Sequence, residues 1–455
     1  MKLIVIGGNP AGLSCASGVR RAHKNWDIIV YEMGSYISYG SCGLPYYVCG
    51  IVEHRDNLMT LTPEVLSKKR NVPLKLHHKV TSVDFDNKKV TVLNLDDNTQ
   101  FVDTYDYLMI ATGATPKIDK RWNIKLDHPR VFQMHIIPDA DKIINAIKNQ
   151  KLTSGVLIGA GYIGLEMLEA YIENGINDLT LIGPRLVFRS ESEKYVQDEL
   201  EKHNIKIIKG IYVRQVEAIS DDRIKCILEN DEEIESDFVQ ISAGVVPNTN
   251  MFEGTKLEMI NGAIVTDEYM RTNIDNVFAA GDCTAVYHKI LKKKVFNPLA
   301  PGANKQGRIA GKYIAGKKTI PFTGVVGTIV WKVLGLYCGK TGITVNEAKE
   351  LGYNPDSILI KANEIAHYYP NEPGVFKKKM TVLLVFDIAS HRLLGAEITA
   401  SSALGGKKID VLATILQAEM TIEDIQQLDL SYAPPFAPVW DPILIAANIA
   451  IKKCK

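Results

Sequence analysis

Cys42 stands in ISYGSCGLPYYVCG, residues 37–50, between small residues and a Gly-Leu-Pro turn. Three chemistries are open to a sulfur there: half of a disulfide, an inert packed thiol, or a single nucleophile cycling between thiolate and an oxidised form. The chain holds seven cysteines, at 15, 42, 49, 226, 283, 338 and 454. An odd number without framework spacing points to free thiols. No Cys or His group has zinc spacing, so no metal is expected. Cys15, Cys226, Cys283 and Cys338 read as packing, and so does Cys49, with a resolving role for Cys49 left open.

A second chemistry lies in two glycine-rich stretches, KLIVIGGNPAGLSCASGVRR (2–21) and SGVLIGAGYIGLEMLEAYIENG (154–175). Each reads as a buried strand, a tight turn and a helix, whose N-terminus can face a pyrophosphate. Gly159, Gly161 and Gly164 complete a G-x-G-x-x-G, with Tyr162 and Ile163 between. In the first copy Gly7 and Gly12 fit, Asn9 takes the middle place, and Pro10 and Ala11 follow it. Asn tolerates a positive φ better than most residues, so the turn survives.

The strands that follow separate the two nucleotides. WDIIVYE ends in Glu32, 20 residues past Gly12, where a carboxylate can accept from a ribose diol. NDLTLIGPRLVFR ends its strand at Gly183, without an acid, and Arg185 and Arg189 follow. That pattern suits the 2′-phosphate of NADPH, with NADH still open, although two solvated loop arginines would look the same. YDYLMIATGATP (105–116) brings a strand to Thr112 and Gly113, and DNVFAAGDC (275–283) brings another to Gly281 and Asp282.

The elements that must position these residues need more than one core, since 455 residues exceed what one supports. Hydrophobic residues make up 46% and charged residues 23%, an ordinary globular composition. A net charge of +1 gives no electrostatic ground for nucleic acid or an anionic membrane as partner. The N-terminus enters a strand at once without a signal-peptide pattern, and no apolar run has the length of a membrane span. A cytoplasmic location is expected.

In this order, with SAGVVPNT at 242–249, the motifs resemble the pyridine nucleotide-disulfide oxidoreductases over essentially the whole chain. The resemblance implies an α/β fold with two Rossmann-like dinucleotide-binding domains and a C-terminal α+β dimerisation domain. FAD would be bound by residues 1–118 and 250–323, NAD(P)H by 119–249, and the homodimer formed through 324–455. It adds Val80 and Ala300 to the FAD contacts and Gly244 to the NAD(P)H contacts.

Within the family the chain departs from the dithiol members. Six residues separate Cys42 from Cys49, where those members carry C-x4-C, and the last histidine is His391, far from a C-terminal base. SxxSCGLPYY instead resembles the single-cysteine subgroup of coenzyme A-disulfide reductases, NADH peroxidases and NADH oxidases. A cysteine beside a flavin in a polar, small-residue setting is expected to have a lowered pKa. Peroxidases and oxidases place a histidine in the first glycine loop, where this chain has Pro10.

LSYAPPFAPVWDP (430–442) and AHYYPNEPG (366–374) resemble coenzyme A-disulfide reductase motifs, implying catalytic roles for Tyr432 and Tyr368 at the partner subunit's Cys42. Packing at an interface would explain either tyrosine alone. Arg21 and Lys305 fall where the family holds CoA phosphates, and Ser38 and Ser41 near its pantetheine. Gly18 replaces a polar contact residue, and a solvated basic helix face would also account for Arg20, Arg21 and Lys24.

The expected reaction is NAD(P)H-dependent reduction of CoA disulfide through a Cys42–S–S–CoA mixed disulfide. The alternatives are reduction of CoA persulfide or polysulfide, peroxide or oxygen reduction through a Cys42 sulfenic acid, and a flavin redox sensor without sustained turnover. Ending at 455, the chain is expected to lack the rhodanese-like domain fused to some persulfide-reducing members, which weighs toward CoA disulfide.

Overall fold

The computed structural model describes residues 1–122, 124–369 and 379–454, so the end of the AHYYPNEPG motif lies outside it. The first sheet is parallel, in the order Val277–Ala279, Tyr107–Ile110, Lys2–Ile6, Asp27–Tyr31, Leu74–Lys75. The second is also parallel: Lys206–Lys209, Asp178–Gly183, Ser154–Ile158, Phe238–Ile241, Val131–Gln133. Their central strands, KLIVI and SGVLI, are almost wholly buried. Continuous apolar runs suit strands covered by helices on both faces.

The two units repeat each other bond by bond. Gly7 N–H donates to Tyr31 O at 2.8 Å, and Gly159 N–H donates to Ile182 O at the same distance. Ala111 N–H reaches Ile6 O at 2.8 Å, and Ser242 N–H reaches Ile158 O at 2.7 Å. Each central strand thus delivers its glycine turn to the carboxyl edge of its sheet, where open α/β sheets bind ligands. Helix Pro10–Ala22 lies against helix Ala300–Ile314 so closely that a Cβ on Gly307 would stand 2.2 Å from Ala11 O.

The C-terminal sheet is antiparallel, ordered Ile329–Val333, Leu336–Gly342, Leu393–Ala400, Lys379–Asp387, Pro355–Asn363. Helices Ile409–Gln417 and Pro442–Lys453 bury apolar faces in its core. The architecture is the expected one of two parallel α/β units and a C-terminal α+β unit. Polar contacts weld the second unit to the third. Glu169 accepts from Leu334 N–H at 2.9 Å and pairs with Lys332, while Glu199 accepts from Gly335 N–H at 3.2 Å. Among the described residues no helix is long and apolar enough to cross a membrane.

Candidate active site

Cys42 sits in the tight turn Ser41–Gly43, which runs directly into helix Leu44–Val48 with Pro45 in its first turn. Leu44, Pro45 and Val48 are buried, so the turn is anchored while Cys42 itself stays exposed. Cys49 caps the far end of the same helical run. Seven residues of helical rise separate the two sulfurs' backbones by about 10 Å, beyond the reach of a disulfide. Cys49 therefore cannot resolve Cys42 without unwinding the helix. Cys15, Cys226, Cys283 and Cys338 are buried, and burial pushes the Cys226 and Cys283 thiols up to about 12 and about 11.

The expectation of a lowered Cys42 pKa is not met. Desolvation pushes this thiol up, and the carboxyl groups of Glu166 and Asp282 push the same way. The Ser41 hydroxyl and the residue's own backbone amide offset part of this. Glu166 is a site residue that the sequence reading missed. Burial, and then the Glu169 carboxylate one turn on, push it up to about 7. Burial alone pushes Asp282 up to about 6. Burial, and then Cys42, Asp282 and Glu166, push the Tyr162 hydroxyl up, so the four groups form one electrostatic cluster drawn from both parallel units. The available signal for Glu166 was the helical spacing of Glu166, Glu169 and Glu173 on a helix whose other residues are apolar. Glu166 and Glu169 also line a water-sized cavity of about 10 Å³ with Pro45, Tyr46, Cys49 and Ile51. A cavity of about 910 Å³ lined by Tyr107, Asn276 and Val277 lies at the opposite, amino edge of the first sheet.

The glycine loops are shaped for close approach. Gly7 and Gly159 both have φ +109°, and a Cβ there would stand 2.2 and 2.3 Å from Ala111 O and Ser242 O. A Cβ on Gly12 or Gly164 would lie 2.1 Å from the carbonyl oxygen of that first glycine. Gly161, Gly113 and Gly244 face open space. Pro10 and Ala11 start the first helix, Tyr162 and Ile163 the second, and Ala300 the helix Ala300–Ile314. Glu32 accepts from Gly8 N–H and Gly34 N–H, each at 2.7 Å, which fixes its carboxylate beside the loop. Asn9 Oδ1 and Thr112 Oγ1 are buried and without a partner among the described residues. Gly281 has φ +87° and donates to Gln306 Oε1, which sets the neighbouring Asp282. Val80 is buried within strand His78–Asp84. Orphaned acceptors, glycine cradle and fixed carboxylates fit a dinucleotide such as FAD.

The remaining candidates fall in two groups. Tyr368 and Tyr432 are exposed and joined hydroxyl to hydroxyl at 2.7 Å, although 64 residues apart. The structure brings the two hydroxyls together. Arg21 and Lys305 are exposed on the two closely packed helices. Arg20, by contrast, donates to Lys24 O and Trp26 O at 2.6 and 2.8 Å and closes its own helix end. Ser38 adopts φ +48° and its hydroxyl bonds Thr60 Oγ1 at 2.7 Å, while Ser41 abuts Cys42.

The description Pyridine nucleotide-disulphide oxidoreductase matches residues 1–307, and the dimerisation domain of that family matches 331–442. An "NAD(P)H sulfur oxidoreductase (CoA-dependent)" of Pyrococcus furiosus is 38% identical over 98% of each chain. A "Coenzyme A disulfide reductase" of Staphylococcus aureus is 28% identical over 96% of each. Among solved structures, an NAD-dependent persulfide reductase from A. fulgidus superposes with a TM-score of 0.92 at 33% identity, covering 100% of this chain and 83% of that one.

Proposed function

The chain belongs to the pyridine nucleotide-disulphide oxidoreductase family, and on that premise we propose that it uses FAD and NAD(P)H to reduce coenzyme A-bound sulfane sulfur, as CoA persulfide or polysulfide, through Cys42. The observation that carries this reading is the 38% identity, over 98% of each chain, to a CoA-dependent sulfur oxidoreductase. That relative is matched along nearly its whole length, so the expected lack of a rhodanese-like domain no longer weighs toward CoA disulfide. CoA disulfide, the substrate first expected, is the second reading, supported by the 28% relative.

Gly7, Asn9, Pro10, Ala11 and Gly12 would hold the FAD pyrophosphate, Glu32 its ribose and Asp282 its ribityl chain. Gly159, Gly161 and Gly164 would hold that of NAD(P)H, with Arg185 on a 2′-phosphate. Bound FAD would supply a two-electron carrier between NAD(P)H and sulfur. Cys42 thiolate attacks the CoA-side sulfur of CoA–S–SH, forming Cys42–S–S–CoA and releasing HS⁻. Two electrons then cleave that disulfide, leaving Cys42 thiolate and CoA thiolate. A proton held by the partner's Tyr432–Tyr368 pair goes to the CoA thiolate. CoA disulfide would enter at the same mixed disulfide, with CoA thiolate leaving in place of HS⁻.

The test is anaerobic turnover of the flavoprotein with NADPH or NADH and, separately, CoA persulfide, CoA disulfide, peroxide and oxygen. Sulfide release matching NAD(P)H consumed, and lost in Cys42→Ser, supports the proposal. Faster CoA disulfide turnover would favour the second reading. Faster peroxide or oxygen turnover would show that Pro10 does not exclude the oxidase chemistry.

A further inference from the structure

The loop after the second nucleotide strand is crowded with cations, and one of them comes from the C-terminal sheet. Strand Asp178–Gly183 ends at a glycine whose added Cβ would stand 3.2 Å from Ala160 N of the glycine loop. No carboxylate side chain occupies that position. Arg185 follows two residues later, exposed and with no ion pair to a described residue. The loop then folds back on the C-terminal sheet. Phe188 packs on Trp331 with ring centroids 5.0 Å apart, Arg189 stands 3.8 Å from Glu347, and the Ser190 hydroxyl donates to Glu397.

Glu397 is the cross-strand partner of Lys340. The contact of Ser190 with Glu397 therefore brings Lys340 against the 185–190 loop. The Lys340 ammonium has no hydrogen bond or ion pair to a described residue. The carboxyl opposite it in the strand ladder is a poor counter-charge, because burial pushes Glu397 up toward its neutral form. Burial lowers the Lys340 pKa, the guanidinium groups of Arg189 and Arg185 push the same way, and Glu397 and Glu347 oppose them. Arg189 and Lys340 thus share one firm carboxylate, Glu347, which is already engaged by Thr344 N–H at 2.9 Å, while Arg185 pairs with no described carboxylate. A phosphate monoester, carrying close to two negative charges, is the anion such a cluster suits.

We propose that Lys340 is a third cation of the adenosine 2′-phosphate site, lent by the C-terminal sheet to the NAD(P)H-binding loop, and that it sets a preference for NADPH over NADH. The inference rests on the assignment of Arg185 to that phosphate. It makes the nucleotide preference a property of two structural units together.

Calorimetric titration of the flavin-loaded protein with 2′,5′-ADP and with 5′-AMP tests both layers without any turnover. Lys340→Gln should weaken 2′,5′-ADP by about tenfold, the scale of one charge-assisted hydrogen bond, and leave 5′-AMP within about twofold. Lys340→Arg, which keeps the charge, should restore most of the loss and controls for misfolding. If Arg185→Gln weakens 2′,5′-ADP while Lys340→Gln does not, Lys340 has no part in the site. If neither variant discriminates the two ligands, the 2′-phosphate assignment itself falls. Equal loss of both ligands in Lys340→Gln, unrescued by Lys340→Arg, would make the lysine structural only.

Discussion

A nucleophilic thiol held up by burial and by carboxyl groups is a contradiction only if the thiolate must be made by deprotonation. In the proposed cycle it is made by two-electron cleavage of the Cys42–S–S–CoA disulfide and spent on the next CoA–S–SH, so turnover does not depend on deprotonating a free thiol. Glu166 is the group to test. Replacing it with Gln removes the carboxylate that, after burial, most raises the Cys42 pKa, so alkylation of Cys42 by iodoacetamide at pH 8, where the wild-type Glu166 is ionised, should quicken several-fold. An unchanged rate would remove Glu166 from the site. The same group has a stability signature. Its folded pKa, about 7, lies above the ordinary 4.5, so its contribution is present below about pH 4.5 and lost as pH rises through 7. At most about 3 kcal/mol is at stake. Glu166→Gln should therefore raise the melting temperature more at pH 8 than at pH 5, and an equal gain at both would refute the assigned pKa. The effect of the carboxyl groups on Cys42 was not legible in the sequence, because Glu166 and Asp282 arrive from distant segments, whereas the small residues flanking the cysteine are local.

At the scale of elements, the strand-turn-helix units were the most legible part. Only glycine tolerates φ +109° at Gly7 and Gly159 without strain, and only glycine fits at Gly12 and Gly164, where a Cβ would strike a carbonyl oxygen at 2.1 Å. Such positions write backbone geometry directly into residue type. The crossing of helices Pro10–Ala22 and Ala300–Ile314 was not legible, since Gly307 and Gly311 touch a helix nearly 300 residues away and carry no local mark of it. The twin loops allow the two nucleotide assignments to be separated. Gly12→Ala should yield protein purified without flavin absorbance, whereas Gly164→Ala should stay yellow but resist bleaching by NAD(P)H under anaerobic conditions. A Gly164→Ala protein bleached at the wild-type rate, or a flavin-replete Gly12→Ala, would reverse or void the assignments.

For the whole molecule, the unresolved demand is apolar surface. Tyr432, Phe436, Val439 and Trp440 are 45 to 67% exposed within nine residues, and Leu404 and Tyr368 are similarly open. Clustered exposure of this kind marks an interface rather than a free surface. The stretch is also rigidly presented, because Asp441 caps helix Pro442–Lys453 through Ile443 N–H at 2.9 Å and pairs with Lys408. It lies within the segment matched by the dimerisation domain. The sequence exposed the motif but not the pairing of Tyr368 with Tyr432, which depends on a fold that joins segments 64 residues apart. If that hydroxyl pair serves the partner's Cys42, dimerisation and the proton step are one property, while flavin reduction by NAD(P)H belongs to each subunit alone. Trp440→Glu should then sediment as a monomer at micromolar concentration and bleach its flavin with NAD(P)H at near the wild-type rate, yet lose turnover with CoA persulfide by at least about a hundredfold, the usual range for a lost proton donor. A monomer that turns over at full rate would place the proton donor within the subunit and refute the shared site.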